Sequence, residues 1–357
     1  MQLLAAILGV FLIVVILSDA FQTVVLSRRV SQRFRPTRAF YRVLWTIWRA
    51  AAKLLAGNRR ENLLTIFGPL SLILLIGLWA VGLVVGFALL HWGLGSRMMA
   101  PDGAMGFTVD LYMSGTTFFT LGLGDVTPQT PLARLITVSE GGIGFAFLAL
   151  VIGYLPLISQ AYSRREVSIS MLDARAGSPP TAGQLLRRHY HQGGEDLRAL
   201  LRDWEGWSAE LLESHISFPL LSYFRSQHDR QSWVAALTTI LDVCALVATR
   251  IDDTPRPTAR LTFAMARHAV VDLCAVFSLP PSPPPVDRLP PWEVERLEIF
   301  LAAVGVRMRR DEPSMANFTA LRALYEPYVQ PLSTFLAMPL PTWLPAEGTH
   351  DTWHTML

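Results

Sequence analysis

Three long apolar segments constrain this chain more than any other feature of its sequence. Residues 1–18 carry no charge, and the apolar character continues past Asp19 to residue 26. Residues 63–90 form a second uncharged run, and residues 135–158 form a third that only Glu140 interrupts. At about 1.5 Å per residue in a helix, each run is long enough to cross a hydrocarbon core of about 30 Å. The pattern predicts an all-α membrane protein.

The first run has a competing interpretation as a cleaved signal peptide. Such a peptide carries its positive charges before the apolar stretch, whereas here the arginines follow it. We therefore favour a retained membrane helix. Asp19 is expected to face protein or the interface, because a carboxylate in hydrocarbon is costly.

The basic residues beside the three runs indicate one direction of insertion. Lysine and arginine accumulate on the cytoplasmic side of membrane spans. The stretch 28–60 and the pair Arg164 and Arg165 are basic, so both are expected inside the cell. The N-terminus and the connection 93–130 are then outside, and the C-terminal half is cytosolic.

Residues 36–56 have the pattern of an amphipathic helix. Phe40, Val43 and Ile47 share one face, and the arginines fall largely elsewhere. Helices of this kind lie in the membrane interface, so we predict a helix on the cytoplasmic membrane surface. The alternative is a soluble helix packed on the C-terminal domain.

The connection between the second and third runs contains a segment too short to cross a membrane. Residues 107–119 provide about three helical turns. The stretch TTFFTLGLGD, residues 116–125, continues from them, and the third span begins near Pro131. This order predicts a re-entrant loop, whose irregular backbone must be buried in protein or line a watery cavity.

Two other interpretations of residues 116–125 compete with that one. A phosphate-binding loop requires G-x-G-x-x-G or G-x-x-x-x-G-K-S/T, and Gly122 and Gly124 stand in neither pattern. An ordinary glycine-rich turn remains open from composition alone.

The run from residue 116 to residue 131 resembles the pore signature of the potassium-channel superfamily, which usually reads T-V-G-Y-G-D before a transmembrane helix. The matching residues are Thr120, Gly122, Gly124 and Asp125. Gly144, twenty residues beyond Gly124, stands where the family often has a hinge glycine. Arg134, ten residues beyond Gly124, stands where the family frequently has arginine. The resemblance covers about residues 63–162.

The resemblance implies a homotetrameric potassium channel of a prokaryotic inner membrane, with an outer helix, a pore helix, a filter loop and an inner helix in each subunit. It implies a filter of backbone carbonyls, because oxygens must replace the water shell of the ion and glycine tolerates the positive φ that aligns them. The implied ion-binding residues are Thr120, Leu121, Gly122, Leu123 and Gly124, with Asp125 at the filter mouth. The expected partners are monovalent cations, lipid and further copies of the chain.

Leu123 departs from the family pattern, which usually has tyrosine at this position. Leucine has no hydroxyl to tie the filter to its supporting helix, so strict potassium selectivity is in question. A weakly selective monovalent cation channel is the first alternative. Leu121 in place of valine is a milder change.

Glu140 and Gly144 lie one helical turn apart on the third span. Glu140 is predicted to line the cavity or to brace the filter; the alternative is a carboxyl bonded to a neighbouring helix and silent in conduction. Gly144 is predicted to be a gating hinge, with close helix packing as the alternative.

The sequence changes character after Arg165. Residues 167–170 have the alternation of an extended segment, a hinge is expected around residues 177–183, and apolar residues then recur at helical spacing. We predict an all-helical domain for assembly or gating. The predicted divisions are an N-terminal membrane helix 1–27, a basic interfacial segment 28–62, a pore domain 63–165, a linker 166–183 and a helical domain 184–357.

The remaining composition excludes several other functions. A net charge of +3 is too small to indicate nucleic-acid binding. Cys244 and Cys274 lie in apolar helical patterns typical of buried thiols, and no enzymatic motif is present. We therefore expect no enzyme and no cofactor besides the permeant potassium ion. A membrane sensor or scaffold that does not conduct is the second alternative.

Overall fold

A computed structural model describes residues 1–25, 36–190, 195–227, 230–252 and 254–346. The chain divides into two compact units, Met1–Ser159 and Gln160–Leu357. The arginines of the predicted basic segment that precede residue 36 lie outside the described residues.

The first unit is built from helices and one small pair of strands. In chain order the elements are α1 (Gln2–Val24), α2 (Pro36–Lys53), α3 (Gly57–Gly93), β1 (Met98–Met99), α4 (Phe107–Phe118), β2 (Thr127–Pro128) and α5 (Pro131–Ala176), which continues into the second unit. The strands pair antiparallel, with Met98 opposite Pro128. Helices α1, α3 and α5 are long and apolar enough to cross a membrane, which confirms the predicted fold class.

Helix α1 runs antiparallel to α3 and packs against it through glycine. A methyl group on Gly9 would lie 2.6 Å from the Gly86 carbonyl oxygen and 2.8 Å from the Leu90 nitrogen. Small residues at such crossings let helix backbones approach closely, and this close packing stabilises helix pairs in membranes.

The other end of α1 is held by a buried carboxylate. Asp19 accepts a hydrogen bond from the Trp79 indole nitrogen of α3 at 3.0 Å and another from the Thr37 hydroxyl of α2 at 2.6 Å. Asp19 is 4 % exposed, so it faces protein, as the sequence predicted. One side chain thereby joins three helices.

Helix α2 packs on the N-terminal part of α3. The rings of Trp45 and Phe67 are 4.7 Å apart, and the Trp48 indole donates to the Leu63 carbonyl oxygen at 2.9 Å. Val43 and Ile47 remain exposed. The helix expected over residues 36–56 is therefore present, with an aromatic face against α3 and a separate apolar face uncovered.

The second unit is helical, as predicted. Its further helices are α6 (Ala182–His189), α7 (Glu195–Ser217), α8 (Trp233–Thr249), α9 (Arg256–Val276), α10 (Pro291–Ala302), α11 (Glu312–Ala323) and α12 (Glu326–Leu336). Every residue from Trp233 to Ala248 is buried. Helix α8 is thus the centre of this core, and α7 and α9 pack around it.

One local prediction was wrong, because residues 167–170 are helical rather than extended. The alternation of valine, isoleucine and serine there suggested a strand. Helix α5 instead continues to Ala176 and buries Arg165, Ile169 and Leu172 on one face. Those positions recur at helical spacing, and their burial in the second unit outweighs the local preference of β-branched residues for strands.

Candidate ion pathway

The short helix α4 is held between the two long helices α3 and α5. Its Ser114 hydroxyl lies 2.8 Å from the Val84 carbonyl oxygen of α3. On the other side, a methyl group on Gly144 of α5 would lie 2.9 Å from the carbonyl carbon of Phe118 and 3.1 Å from its Cα. Gly144 therefore lets α5 approach the end of α4. The two roles predicted for Gly144 were a gating hinge and close helix packing, and this geometry is that of close packing.

The sign of the backbone φ angle alternates along the residues that follow α4. Thr120, Gly122 and Gly124 have φ values of +57°, +56° and +79°, and positive φ is absent at Leu121 and Leu123 between them. Alternation of this kind turns successive carbonyls toward the same side. The five residues predicted for the filter thus form one continuous segment in which the sign of φ alternates.

The start of this segment is bonded back to α4. The backbone nitrogens of Leu121 and Gly122 donate to the Thr116 carbonyl oxygen at 2.8 and 3.3 Å. The last carbonyls of a helix lack partners within the helix, and these two N–H groups supply them. The side chains of Leu121 and Leu123 are 62 % and 63 % exposed in the single chain.

The far end of the segment is anchored at Asp125. One carboxylate oxygen accepts a hydrogen bond from the Tyr112 hydroxyl at 2.8 Å, and the other accepts from the Val126 nitrogen at 3.1 Å. Sequence reasoning identified Asp125 but missed Tyr112, since no local pattern links residues that lie 13 positions apart.

Glu140 lies behind α4 in a fully buried polar cluster. Its side chain contacts the Ser114 hydroxyl, and its Oε2 lies 4.0 Å from Nε2 of His91 on α3. All three side chains are 0 % exposed. The structure therefore places Glu140 between helices, in contact with α4. Ser114 and His91 were not identified from the sequence.

The described residues contain no group of three or more His, Cys, Asp or Glu side chains that could hold a metal ion. His268 and Asp272 form a pair with 3.7 Å between Nε2 and Oδ2. Cys244 and Cys274 are free and buried, as predicted. Residues 120–125 offer backbone carbonyls, the Thr120 hydroxyl and the Asp125 carboxylate, whose oxygen atoms suit a cation better than an anion.

Comparison with known proteins agrees with this geometry. Residues 73–156 match the protein family described as "Ion channel". The chain is also 23 % identical, over 198 residues, to the uncharacterized membrane protein YdjJ of Bacillus subtilis (strain 168). That alignment covers 54 % of this chain and 56 % of the relative, so the chain spans little more than half the length of the curated relative it matches. No solved structure matches the chain significantly.

These findings define the class of the membrane unit. Residues 73–156, which contain most of α3, all of α4 and the first half of α5, form an ion-channel domain of the two-transmembrane type. The resemblance drawn from residues 116–131 is thereby confirmed for this part of the chain.

Proposed function

We propose that the protein is a homotetrameric cation channel of the potassium type, which conducts passively through the carbonyls of residues 120–124. The observation that supports this most directly is the alternating φ of Thr120, Gly122 and Gly124 immediately after α4. Aligned carbonyls can replace the hydration shell of a dehydrated cation.

Assembly into a ring follows from what one chain provides. A single loop offers oxygens to one side of an ion, so several copies must surround the axis. The exposed Leu121 and Leu123, together with Phe145 and Ile152 of α5, would be covered by neighbouring copies. Exposed apolar surface of this kind marks a protein or lipid contact.

Two electrostatic features favour a cation over an anion. The C-terminal end of α4 carries the partial negative charge of a helix dipole, and it immediately precedes the filter. Asp125 adds a carboxylate at the filter mouth, and a ring of such residues attracts cations. We place Asp125 outside and the C-terminal domain inside a bacterial inner membrane.

The helical domain is proposed to assemble the channel or to gate it, because α5 extends directly into it. Arg165 of α5 donates to the carbonyl oxygens of Leu221 and Phe224 at 2.9 and 2.8 Å. The Tyr162 hydroxyl donates to the carbonyl oxygen of Arg225 at 3.0 Å. These bonds hold the end of the inner helix, so a movement of the domain would act on α5.

Weak selectivity between monovalent cations is the second candidate, and Leu123 is the observation that favours it. A side chain without a hydroxyl cannot hydrogen-bond to α4. The filter is therefore held by its backbone bonds to Thr116 and by Tyr112 at Asp125. Fewer restraints on the carbonyl positions reduce discrimination between ions of different size.

The test is the reversal potential of the purified full-length protein in planar bilayers with potassium on one side and sodium on the other. A potential close to the potassium equilibrium value supports the first candidate. A value near zero supports weak selectivity, and Leu123→Tyr should then shift it toward potassium. Folded tetramer without any conductance would refute both, and a cellular phenotype that survives Gly122→Ala would favour a sensor or scaffold.

A further inference from the structure

The contacts among Glu140, Ser114 and His91 bear on the protonation state of Glu140. Ser114 belongs to α4, Glu140 to α5 and His91 to α3, and each side chain is fully buried. The cluster therefore joins the pore helix to both long helices behind the filter.

The Ser114 hydroxyl has one proton and contacts two oxygen atoms. Its Oγ lies 2.8 Å from the Val84 carbonyl oxygen and also contacts Oε1 of Glu140. A backbone carbonyl and a carboxylate both only accept, and a hydroxyl has one proton to donate. If Glu140 is ionised, its carboxylate and the Val84 carbonyl must share the one serine proton. Each contact is a full hydrogen bond when Glu140 is a carboxylic acid and donates to Ser114.

The position of His91 agrees with a neutral Glu140. Nε2 of His91 and Oε2 of Glu140 are 4.0 Å apart, and neither atom has a hydrogen-bond partner among the described residues. Nδ1 of His91 lies 3.1 Å from the Ser96 hydroxyl. A buried ion pair is stable only with close contact and satisfied hydrogen bonds, so this spacing suits two neutral groups. Among the ion pairs of the described residues, the partner of Glu140 is His91.

We propose that Glu140 is a protonated carboxylic acid that donates to Ser114, while Ser114 donates to the Val84 carbonyl oxygen. The two bonds run in one direction from α5 through α4 to α3. Protonation removes the cost of a buried carboxylate in an apolar environment. Through these two bonds, Glu140 and Ser114 act as positioning residues that hold the pore helix and, through Thr116, the filter. This role rests on the proposed function.

Infrared spectroscopy of the full-length protein tests the protonation directly. Glutamate labelled with 13C should show the carbonyl stretching band of a protonated acid in the unmodified protein, and Glu140→Gln should remove it. Ser114→Ala should shift the band, because the acid loses its acceptor. Glu210→Gln, at an exposed position of α7, is the control and should leave the band unchanged. A spectrum without a band that depends on Glu140 would overturn the proposal.

Potassium flux into liposomes tests the positioning role. Glutamine keeps a neutral donor, whereas alanine removes it, so Glu140→Gln should conduct about fivefold faster than Glu140→Ala, the equivalent of about one hydrogen bond. If Glu140→Gln is as slow as Glu140→Ala while Glu140→Asp conducts well, the negative charge is required and the proposal is wrong. The infrared band gives a result even when the alanine variant does not fold. It also separates this inference from the channel proposal, because it does not depend on conduction.

Discussion

At the scale of single residues, the segment 120–125, proposed as the filter, is held by contacts that involve few side chains. Tyr112 restrains this segment at Asp125, and the backbone bonds to Thr116 restrain its start. Leu123 adds no polar contact between them. The behaviour of the filter should therefore be unusually sensitive to Tyr112.

If residues 120–124 are the filter, replacing Tyr112 by phenylalanine should destabilise its conducting form while leaving the fold intact. The change removes one hydrogen bond, worth about 1 kcal/mol, which corresponds to roughly a fivefold change in an equilibrium. Single-channel recording should show a lower open fraction or faster inactivation. Tyr190→Phe in the C-terminal unit is the matched control, and equal effects of the two variants would contradict the expectation.

Gly144 should not tolerate a side chain, because its α-carbon faces the backbone of Phe118. Backbone atoms cannot move aside as a flexible side chain can. We expect Gly144→Ala to lower the stability of the folded channel by about 1–3 kcal/mol and to reduce flux. Gly142 provides the comparison, because a methyl group there would have nothing within 4 Å. Its alanine variant should be neutral or more stable, since alanine favours helix.

At the scale of secondary-structure elements, the membrane unit is held by close helix contacts and the C-terminal unit by a buried core with paired charges. Gly9 brings α1 onto α3, and Asp19 joins both helices to α2. In the second unit, Asp242 of the fully buried helix α8 is paired with Arg288 from the connection before α10.

Gly9→Ala should separate α1 from α3, because the added methyl group would meet the carbonyl oxygen of Gly86. The expected loss of stability is about 1–3 kcal/mol, measurable as a lower midpoint of thermal unfolding in detergent. Gly77→Ala on α3, with nothing within 4 Å, should not lower the midpoint. An unchanged midpoint for Gly9→Ala would contradict the tight packing.

Arg288→Met should be strongly destabilising. Arg288 donates to both carboxylate oxygens of Asp242, at 3.2 and 2.6 Å, and Asp242 is 0 % exposed. Removing one partner of a buried pair leaves a charge without compensation and costs about 3–5 kcal/mol. Chemical denaturation should show this loss. Arg198→Met, which breaks an exposed pair with Glu195, should cost less than about 1 kcal/mol.

At the scale of the whole molecule, α5 is the element that the two units share, and its Arg165 contacts a buried histidine of α7. His215 is buried between hydrogen bonds: Nδ1 lies 2.8 Å from the Leu211 carbonyl oxygen and Nε2 lies 3.2 Å from a guanidinium nitrogen of Arg165. Burial, together with the charge of Arg165, holds the pKa of His215 well below its ordinary value of 6.5. The neutral imidazole is therefore the form that the fold selects.

The stability of the C-terminal unit should fall as the pH is lowered through and below about 6.5. The unfolded chain binds a proton at His215 in that window and the folded chain does not, so stability rises with pH there, by up to about 1.4 kcal/mol per pH unit for one proton. Above the window the full stability is present. Calorimetry of the full-length protein at several pH values measures the effect.

His215→Gln should flatten this dependence, since glutamine does not titrate. His268→Gln, at a side chain that is 61 % exposed, is the comparison for replacement of an exposed histidine. Equal slopes for the unmodified protein and His215→Gln would show that another group controls the response.

The sequence by itself determined the three long apolar helices, the short helix predicted over residues 107–119 and the turn at Gly122 and Gly124 that follows it. Those features depend on local properties: the length of an uncharged run, proline at a helix start, and glycine where φ must be positive. Only the tertiary structure decided that Tyr112 reaches Asp125, that Glu140 meets Ser114 and His91, and that α5 continues through residues 167–170. These contacts depend on which helix faces meet. Packing between segments far apart in the chain decides that, and it can override the local preference of a short stretch.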